Sequence, residues 1–210
     1  MTSDATQDPA FDPDWEVLAR VARGDVEAFS GLVERHQDRL LAVCSRLLGD
    51  RDEARDACQD VFLRAYRKAA SYRPAGQVYT WLYRIAVNLC FNRLRRRRIV
   101  RFLPFAAPAS GSEEPVEIDP PDEGPDAVRQ LQARERWRST RLALDRLPAG
   151  QRAVVVLAKF EGLSYREIAA ALGVSEGAVE SRLVRAMRSL ERAGTAPQES
   201  GHSRVSRPGD

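Results

Sequence analysis

The stretch Ser164 to Leu190, SYREIAAALGVSEGAVESRLVRAMRSL, reads as two helices meeting at a glycine. Ser164 and Glu167 stand three residues apart ahead of an apolar run, the capping-box pattern in which each side chain satisfies a free backbone N–H. Ile168, Ala169 and Leu172 follow at helical spacing, and Gly173 supplies the left-handed residue that ends the helix. Val174 plugs the turn, and Ser175 caps a second helix whose Val179, Leu183, Ala186 and Leu190 form one apolar stripe. Helix, tight turn and capped helix make the helix-turn-helix layout. A purely structural hairpin would give the same turn, so this motif alone leaves its function open.

The face opposite that stripe holds Gly177, Ser181, Arg185 and Arg188, flanked by Ala178 and Arg182. Small residues let the first turn approach base edges closely, and arginines reach guanine or phosphate. Upstream, Leu142, Leu144 and Leu147 precede Pro148, a further helix fits Ala149 to Phe160, and Glu161-Gly162 makes a turn. Helical pattern starts near Asp126, with Val128, Leu131 and Trp137.

The other half of the chain carries a charge block. Val61 to Ser112 contains no Asp or Glu, yet holds Arg64, Arg67, Lys68, Arg73, Arg84, Arg93, Arg95 to Arg98 and Arg101. Tyr66, Tyr72, Tyr79, Trp81 and Tyr83 thread through its middle. Aromatic rings beside a positive track are the means by which proteins hold single-stranded nucleic acid. A short arginine run is usually a solvated helix face, but so long a stretch without an acid points to a polyanion.

Around these two blocks the chain reads as helices. A short helix follows Asp14, with Trp15, Leu18 and Val21 on one side and Gly24 at its end. Asp25 looks like the cap of a long helix carrying Phe29, Leu32, Val33, Leu40, Cys44, Leu47 and Leu48, closed by Gly49-Asp50. His36 has no second ligand at metal spacing and reads as a packed histidine. The next helix, about Asp52 to Ala70, turns Ala54, Cys58, Val61, Phe62, Ala65 and Ala69 inward and leaves Asp56, Gln59 and Asp60 outward. Ser71 to Val78 is a loop with Pro74 and Gly76, and a helix from Tyr79 or Thr80 to about Arg98 buries Leu82, Ile85, Ala86 and Leu89. Its other faces display Arg84, Asn88, Asn92, Arg95 and Arg96.

The resulting expectation is an all-α protein of two small helical domains joined by a Pro-rich acidic linker. The boundaries are a disordered tail at 1–14, a first domain at 15–100, a flexible linker at 101–126, a second domain at 127–192 and a disordered tail at 193–210. Six prolines from Pro104 to Pro125 and the seven acids between Glu113 and Asp126 mark the linker, and the halves are expected to fold without a common core. The formal charge of +3 hides this segregation. Cys44, Cys58 and Cys90 show no zinc or disulfide spacing and read as buried free thiols; no metal or cofactor is expected. Neither a signal peptide nor a membrane span is indicated, which makes a cytoplasmic location the expectation.

Three ordered motifs together resemble a family. Asp56-Ala57-Cys58-Gln59-Asp60-Val61-Phe62-Leu63-Arg64-Ala65, then Thr80-Trp81-Leu82-Tyr83-Arg84-Ile85-Ala86-Val87-Asn88, and then Leu147-Pro148 through Gly162-Leu163-Ser164-Tyr165 to Ser181-Arg182-Leu183 are similar to bacterial extracytoplasmic-function (ECF) sigma factors of the sigma-70 family. The resemblance covers about Ala28 to Arg98 and Leu142 to Glu191. It implies a non-enzymatic subunit that gives core RNA polymerase its promoter recognition. Asp56, Gln59 and Asp60 stand where the family contacts the beta-prime clamp helices, with the beta subunit as a further polymerase contact. An acidic and amide patch suits a basic protein surface and would repel DNA.

The resemblance gives the segment Ser71 to Arg98 the opening of the −10 element and capture of its non-template strand. Tyr72, Arg73, Gln77 and Tyr79 in the loop, with Asn88 and Asn92 on the helix, are the candidates for base contact, and Arg95 to Arg98 for phosphates. Trp81, next to Leu82 and Ile85, reads as core support. At the −35 element the family positions fall on Glu180, Ser181 and Arg185, with backbone contacts near Ser175 and Gly177 and phosphate contact at Arg188. Glu180 stands where some relatives carry a base; it could accept from cytosine or exclude other sequences. No extra central domain or C-terminal sensory domain is apparent, so the resemblance assigns control to an external anti-sigma factor.

Two rivals remain at the level of sequence. A stand-alone helix-turn-helix regulator would explain Ser164 to Glu191 but neither the acid-free block nor the Asp56 to Asp60 patch. A nucleic-acid enzyme would need clustered carboxylates or a metal in the basic region, which has no acid.

Overall fold

A computed structural model of the chain describes residues 12–73, 76–102, 135 and 137–192. Helix α1, Pro13–Ala22, begins where Asp12 accepts a hydrogen bond from the Asp14 N–H at 3.0 Å and Pro13 presets the first turn. Helix α2, Ala28–Leu48, starts beside Asp25, whose carboxylate accepts from Ala28 N–H at 3.1 Å, and stops at Gly49 with φ of 70°. That left-handed residue lets Asp50 turn at once to cap α3, Arg51–Lys68, through the Glu53 N–H at 2.8 Å. A single 3-10 turn, Ala69–Ser71, leads to the loop before α4, Val78–Phe102.

Helices α2, α3 and α4 pack against one another, because each contributes one apolar stripe: Leu40, Val43 and Leu47 from α2, Ala54, Val61 and Ala65 from α3, Leu82, Ala86 and Cys90 from α4. Helix α1 lies on α2 with Leu18 inside. The second half contains α5 (residues 137–145), α6 (Ala149–Val155), α7 (Tyr165–Leu172) and α8 (Glu176–Arg192). Helix α6 widens into a π turn at Val156–Phe160, where Glu161 N–H reaches back to the Val156 carbonyl. Among the described residues there is no strand, and the architecture is all-α with two small helical domains.

The helix starts and stops agree closely with the local signals. Ser164 and Glu167 form the full capping box, Gly173 takes φ of 65°, and Val179, Leu183, Ala186 and Leu190 are buried. His36 is a packed residue, its Nε2 lying 2.6 Å from Asp14 Oδ2. Cys44, Cys58 and Cys90 are free and buried; burial pushes the Cys58 thiol up to about 12, where it is inert.

Three expectations are corrected. Asp12 to Asp14 are not tail: Asp12 also accepts from the Val78 N–H at 2.6 Å, and Asp14 is buried against His36 and Arg35. Helix α4 runs past residue 100 to Phe102. Most consequential, the two halves do pack: α7 lies against α4, and the π turn and α6 lie against α2, within one continuous apolar core. The tails at 1–11 and 193–210, the linker from 103, Val128 and Leu131 lie outside the described residues.

Candidate nucleic-acid interface

Helix α4 carries the basic face. Arg84, Asn88, Asn92, Arg95 and Arg96 are exposed along it, with the Arg95 guanidinium donating to Asn92 Oδ1 at 3.2 Å. Arg93 and Arg97 point the other way, which corrects the expectation of a phosphate contact at Arg97. Arg93 donates to Asp60 Oδ2 at 2.7 Å and to the Glu53 carbonyl at 2.9 Å, while Arg97 reaches Glu53 at 2.6 Å and the Leu48 carbonyl at 3.2 Å. These two arginines tie α4 to α3 and close the end of α2, so their charge is spent inside the domain. The acids that neutralise them lie just outside the acid-free block, on a neighbouring helix, which a linear charge count cannot reveal.

The loop ahead of α4 is built from its aromatics. Tyr72 packs on Trp81 with ring centroids 4.8 Å apart, and its hydroxyl donates to the Gly76 carbonyl at 3.0 Å. Burial, aided by the charge of Asp12, pushes that phenol up to about 12. Arg73 is exposed, and Gln77 is half-buried, its carbonyl accepting the first amide bonds of α4. Tyr79 is half-buried and donates its hydroxyl to Glu167 of α7, and Tyr83 is buried and donates to Glu161 at 2.7 Å. Burial first and the neighbouring carboxylates second raise both phenols above their ordinary range. Tyr83 is therefore no stacking platform in this conformation.

On the far side of α3, Asp56 and Gln59 are exposed, whereas Asp60 is held by Arg93. Beside Gln59 an apolar groove of about 400 Å³ is lined by Phe29, Val33, Phe62, Leu63 and Tyr66. Leu63 escaped the sequence reading as a surface feature, and Tyr66, read as an aromatic beside the positive track, lines this groove.

Helix α8 presents Gly177, Glu180, Ser181, Arg185 and Arg188 to the outside, and Ser175 accepts from the Ala178 N–H at 3.2 Å. An ideal Cβ added at Gly177 would meet nothing within 4 Å, so the first turn is open to a close approach. Glu180, Ser181, Val184 and Arg185 line a shallow concavity. Arg185 donates back to the Ser181 carbonyl at 3.1 Å. Val184, exposed beside these polar groups, was the residue missed here.

A helical unit with an exposed basic and amide face, joined to a helix-turn-helix, has the features of a nucleic-acid-binding protein. Residues 32–99 match the family described as Sigma-70 region 2, and residues 138–190 match Sigma-70, region 4. Over 181 residues the chain is 34% identical to the RNA polymerase sigma-H factor of Pseudomonas aeruginosa, covering 86% of this chain and 93% of that protein. It is 39% identical to the ECF RNA polymerase sigma factor SigM of Mycobacterium tuberculosis over 85% of this chain and 83% of the relative. Among solved structures, CnrH in complex with the cytosolic domain of CnrY is similar at a TM-score of 0.61 and 30% identity, over 87% of this chain and 97% of that one. The sigma factor RpoE of Bartonella quintana, solved with the anti-sigma factor NepR, has a TM-score of 0.60 and 26% identity over 80% and 96%.

The chain belongs to the ECF sigma factors. Among the described residues no helix is long and apolar enough to cross a membrane, and no group of His, Cys, Asp and Glu is arranged to hold a metal ion.

Proposed function

We propose that this sigma factor joins core RNA polymerase through the α3 face bearing Asp56 and Gln59, opens the −10 element with the loop before α4, and reads the −35 element with α8. The observation that carries this division of labour is the placement of three chemically different exposed faces on three helices: acidic and amide on α3, basic and amide on α4, mixed polar on α8. Asp56 and Gln59 suit a basic protein surface, and Asp60 serves the docking helix by fixing it to Arg93. Asn88 and Asn92 have the donors and acceptors to hold unpaired bases, Tyr72, Arg73, Gln77 and Tyr79 flank them, and Arg95 and Arg96 attract the phosphates.

Glu180, Ser181 and Arg185 supply the groups for base edges, with Ser175, Gly177 and Arg188 at the backbone. Sigma factors lend recognition to the polymerase, and the chemistry of RNA synthesis belongs to the enzyme they join. An anti-sigma factor is the expected regulator, since the Bartonella protein was solved with the anti-sigma factor NepR. The cytoplasm is where these partners would meet. A stand-alone regulator is the less economical reading, because it leaves the α3 and α4 faces without a task. In-vitro transcription with purified core polymerase on a promoter library tests the proposal: start sites that appear only with this chain support it, and specific DNA binding by the free chain with no effect on transcription overturns it.

A further inference from the structure

The two halves meet through one buried carboxylate. Glu161 follows the π turn of α6 with its side chain only 5% exposed. Tyr83 of α4 donates to its Oε2 at 2.7 Å, Arg39 of α2 lies 3.2 Å from the same oxygen, and Arg46 of α2 lies 3.6 Å from Oε1. Arg39 also donates to the Glu161 backbone carbonyl at 3.3 Å, and the Arg46 guanidinium sits 4.5 Å from the Phe160 ring centroid. A carboxylate this far from water is tolerable only when paired, and Tyr83, Arg39 and Arg46 all come from the other domain. The π turn matters here, since its extra residue rotates the end of α6 so that Phe160 and Glu161 both face α2.

A second contact repeats the theme one helix later. Tyr79, on the first turn of α4, donates to Glu167, the capping-box residue of α7. A third contact closes the far end: the buried Arg152 donates to the Leu47 carbonyl at 2.7 Å, an unpaired acceptor in the last turn of α2.

We propose that Glu161 is the latch of a closed state of the free chain, in which the −35 domain lies on the −10 domain and Tyr79 is withheld from DNA until the two part. The part concerning Tyr79 rests on its assignment to base contact above. The closed state hides the two domains unequally: Glu180, Ser181 and Arg185 of α8 stay exposed, whereas Tyr79 and Tyr83 are engaged. Binding a −10 strand would therefore require separation of the domains, and the apparent affinity falls by the fraction of molecules that are open.

Spin labels on Arg55→Cys and Glu191→Cys, both exposed sites on opposite halves, report the separation, because the native cysteines are buried. The full-length chain should give one narrow distance distribution. Arg39→Glu, which faces Glu161 with a like charge from an exposed position on α2, and Glu161→Gln should each broaden it toward longer distances, with helix content by circular dichroism unchanged for Arg39→Glu. A distribution that is already broad in the parent, or unchanged in Arg39→Glu, overturns the latch. Unlabelled proteins are then titrated with a fluorescent single-stranded 12-mer pool of random sequence. If about one molecule in ten is open in the parent, the opened variants should bind about tenfold more tightly. Opening without any gain overturns the withholding of Tyr79 and its base-contact assignment, while leaving the latch itself standing.

Discussion

Glu167 holds two structures together with one carboxylate. Its Oε2 accepts from the Ser164 N–H at 2.7 Å and the Ser164 hydroxyl at 2.6 Å, which starts α7, and its Oε1 accepts from Tyr79, which docks α7 on α4. Burial opposes the charged form, but the Ser164 and Tyr79 hydrogen bonds outweigh it and hold the carboxyl below its ordinary value of 4.5. A folded-state value below the unfolded one means that the native state binds fewer protons there. Its contribution to stability is then fully present above pH 4.5 and is lost as the pH falls through the lowered folded value. Glu167→Gln still completes a capping box, so helix content should hold while the acid-side loss of stability becomes shallower. Urea midpoints of both proteins between about pH 7 and about pH 3 check this, and parallel profiles would show that the carboxylate is not held in this way. Arg152 illustrates what residue-level reading misses: nothing in its local pattern says that a charged side chain would be buried to cap a helix 105 residues earlier in the chain.

Helices are where the sequence spoke most directly. Caps and left-handed glycines act over three or four residues, so Asp50, Gly49, Ser164 and Gly173 could be recognised from their neighbours, and the stripes of α2, α3 and α8 from their period. Which arginines on α4 are free could not be recognised, because the choice is made by Glu53 and Asp60 on another helix. For α8 the same difficulty is absent: its face is set by its own stripe, and Arg185 is exposed near mid-helix, donating to the Ser181 carbonyl. An arginine there can make a bidentate contact to guanine or bind a phosphate. Base reading is favoured, since Arg188 and Arg192 lie further along toward the backbone. Arg185→Ala should then cost about 1 to 3 kcal/mol and relax preference at one −35 position. Transcription from a library with every −35 position varied distinguishes the cases; an evenly reduced profile with lower salt dependence would assign Arg185 to phosphate instead.

At the scale of the whole molecule, the continuous apolar core is crossed by charged and polar pairs where the halves meet. Apolar packing of α7 on α4 is combined with Glu161, Glu167 and Arg152, all paired across it. Interfaces of this mixed kind within one chain are typically modest, and they persist because the connecting segment keeps the partners at high effective concentration. Local periodicity carries no trace of it, since Arg39 and Glu161 are separated by 122 residues, one reading as an ordinary surface charge on a helix and the other as part of a turn. The dependence on connection can be measured. A protease site placed between Phe105 and Pro125 allows the native chain to be cut without touching any described helix. A short tether supplies an effective concentration in the millimolar range, so the cut halves should still co-elute at about 100 μM and separate at about 1 μM, whereas the uncut chain keeps one compact volume at both. Halves that separate even at the higher concentration would show that Glu161 and its partners do not hold the domains together, and halves that stay paired at the lower one would show an interface too tight for the polymerase and promoter to open easily.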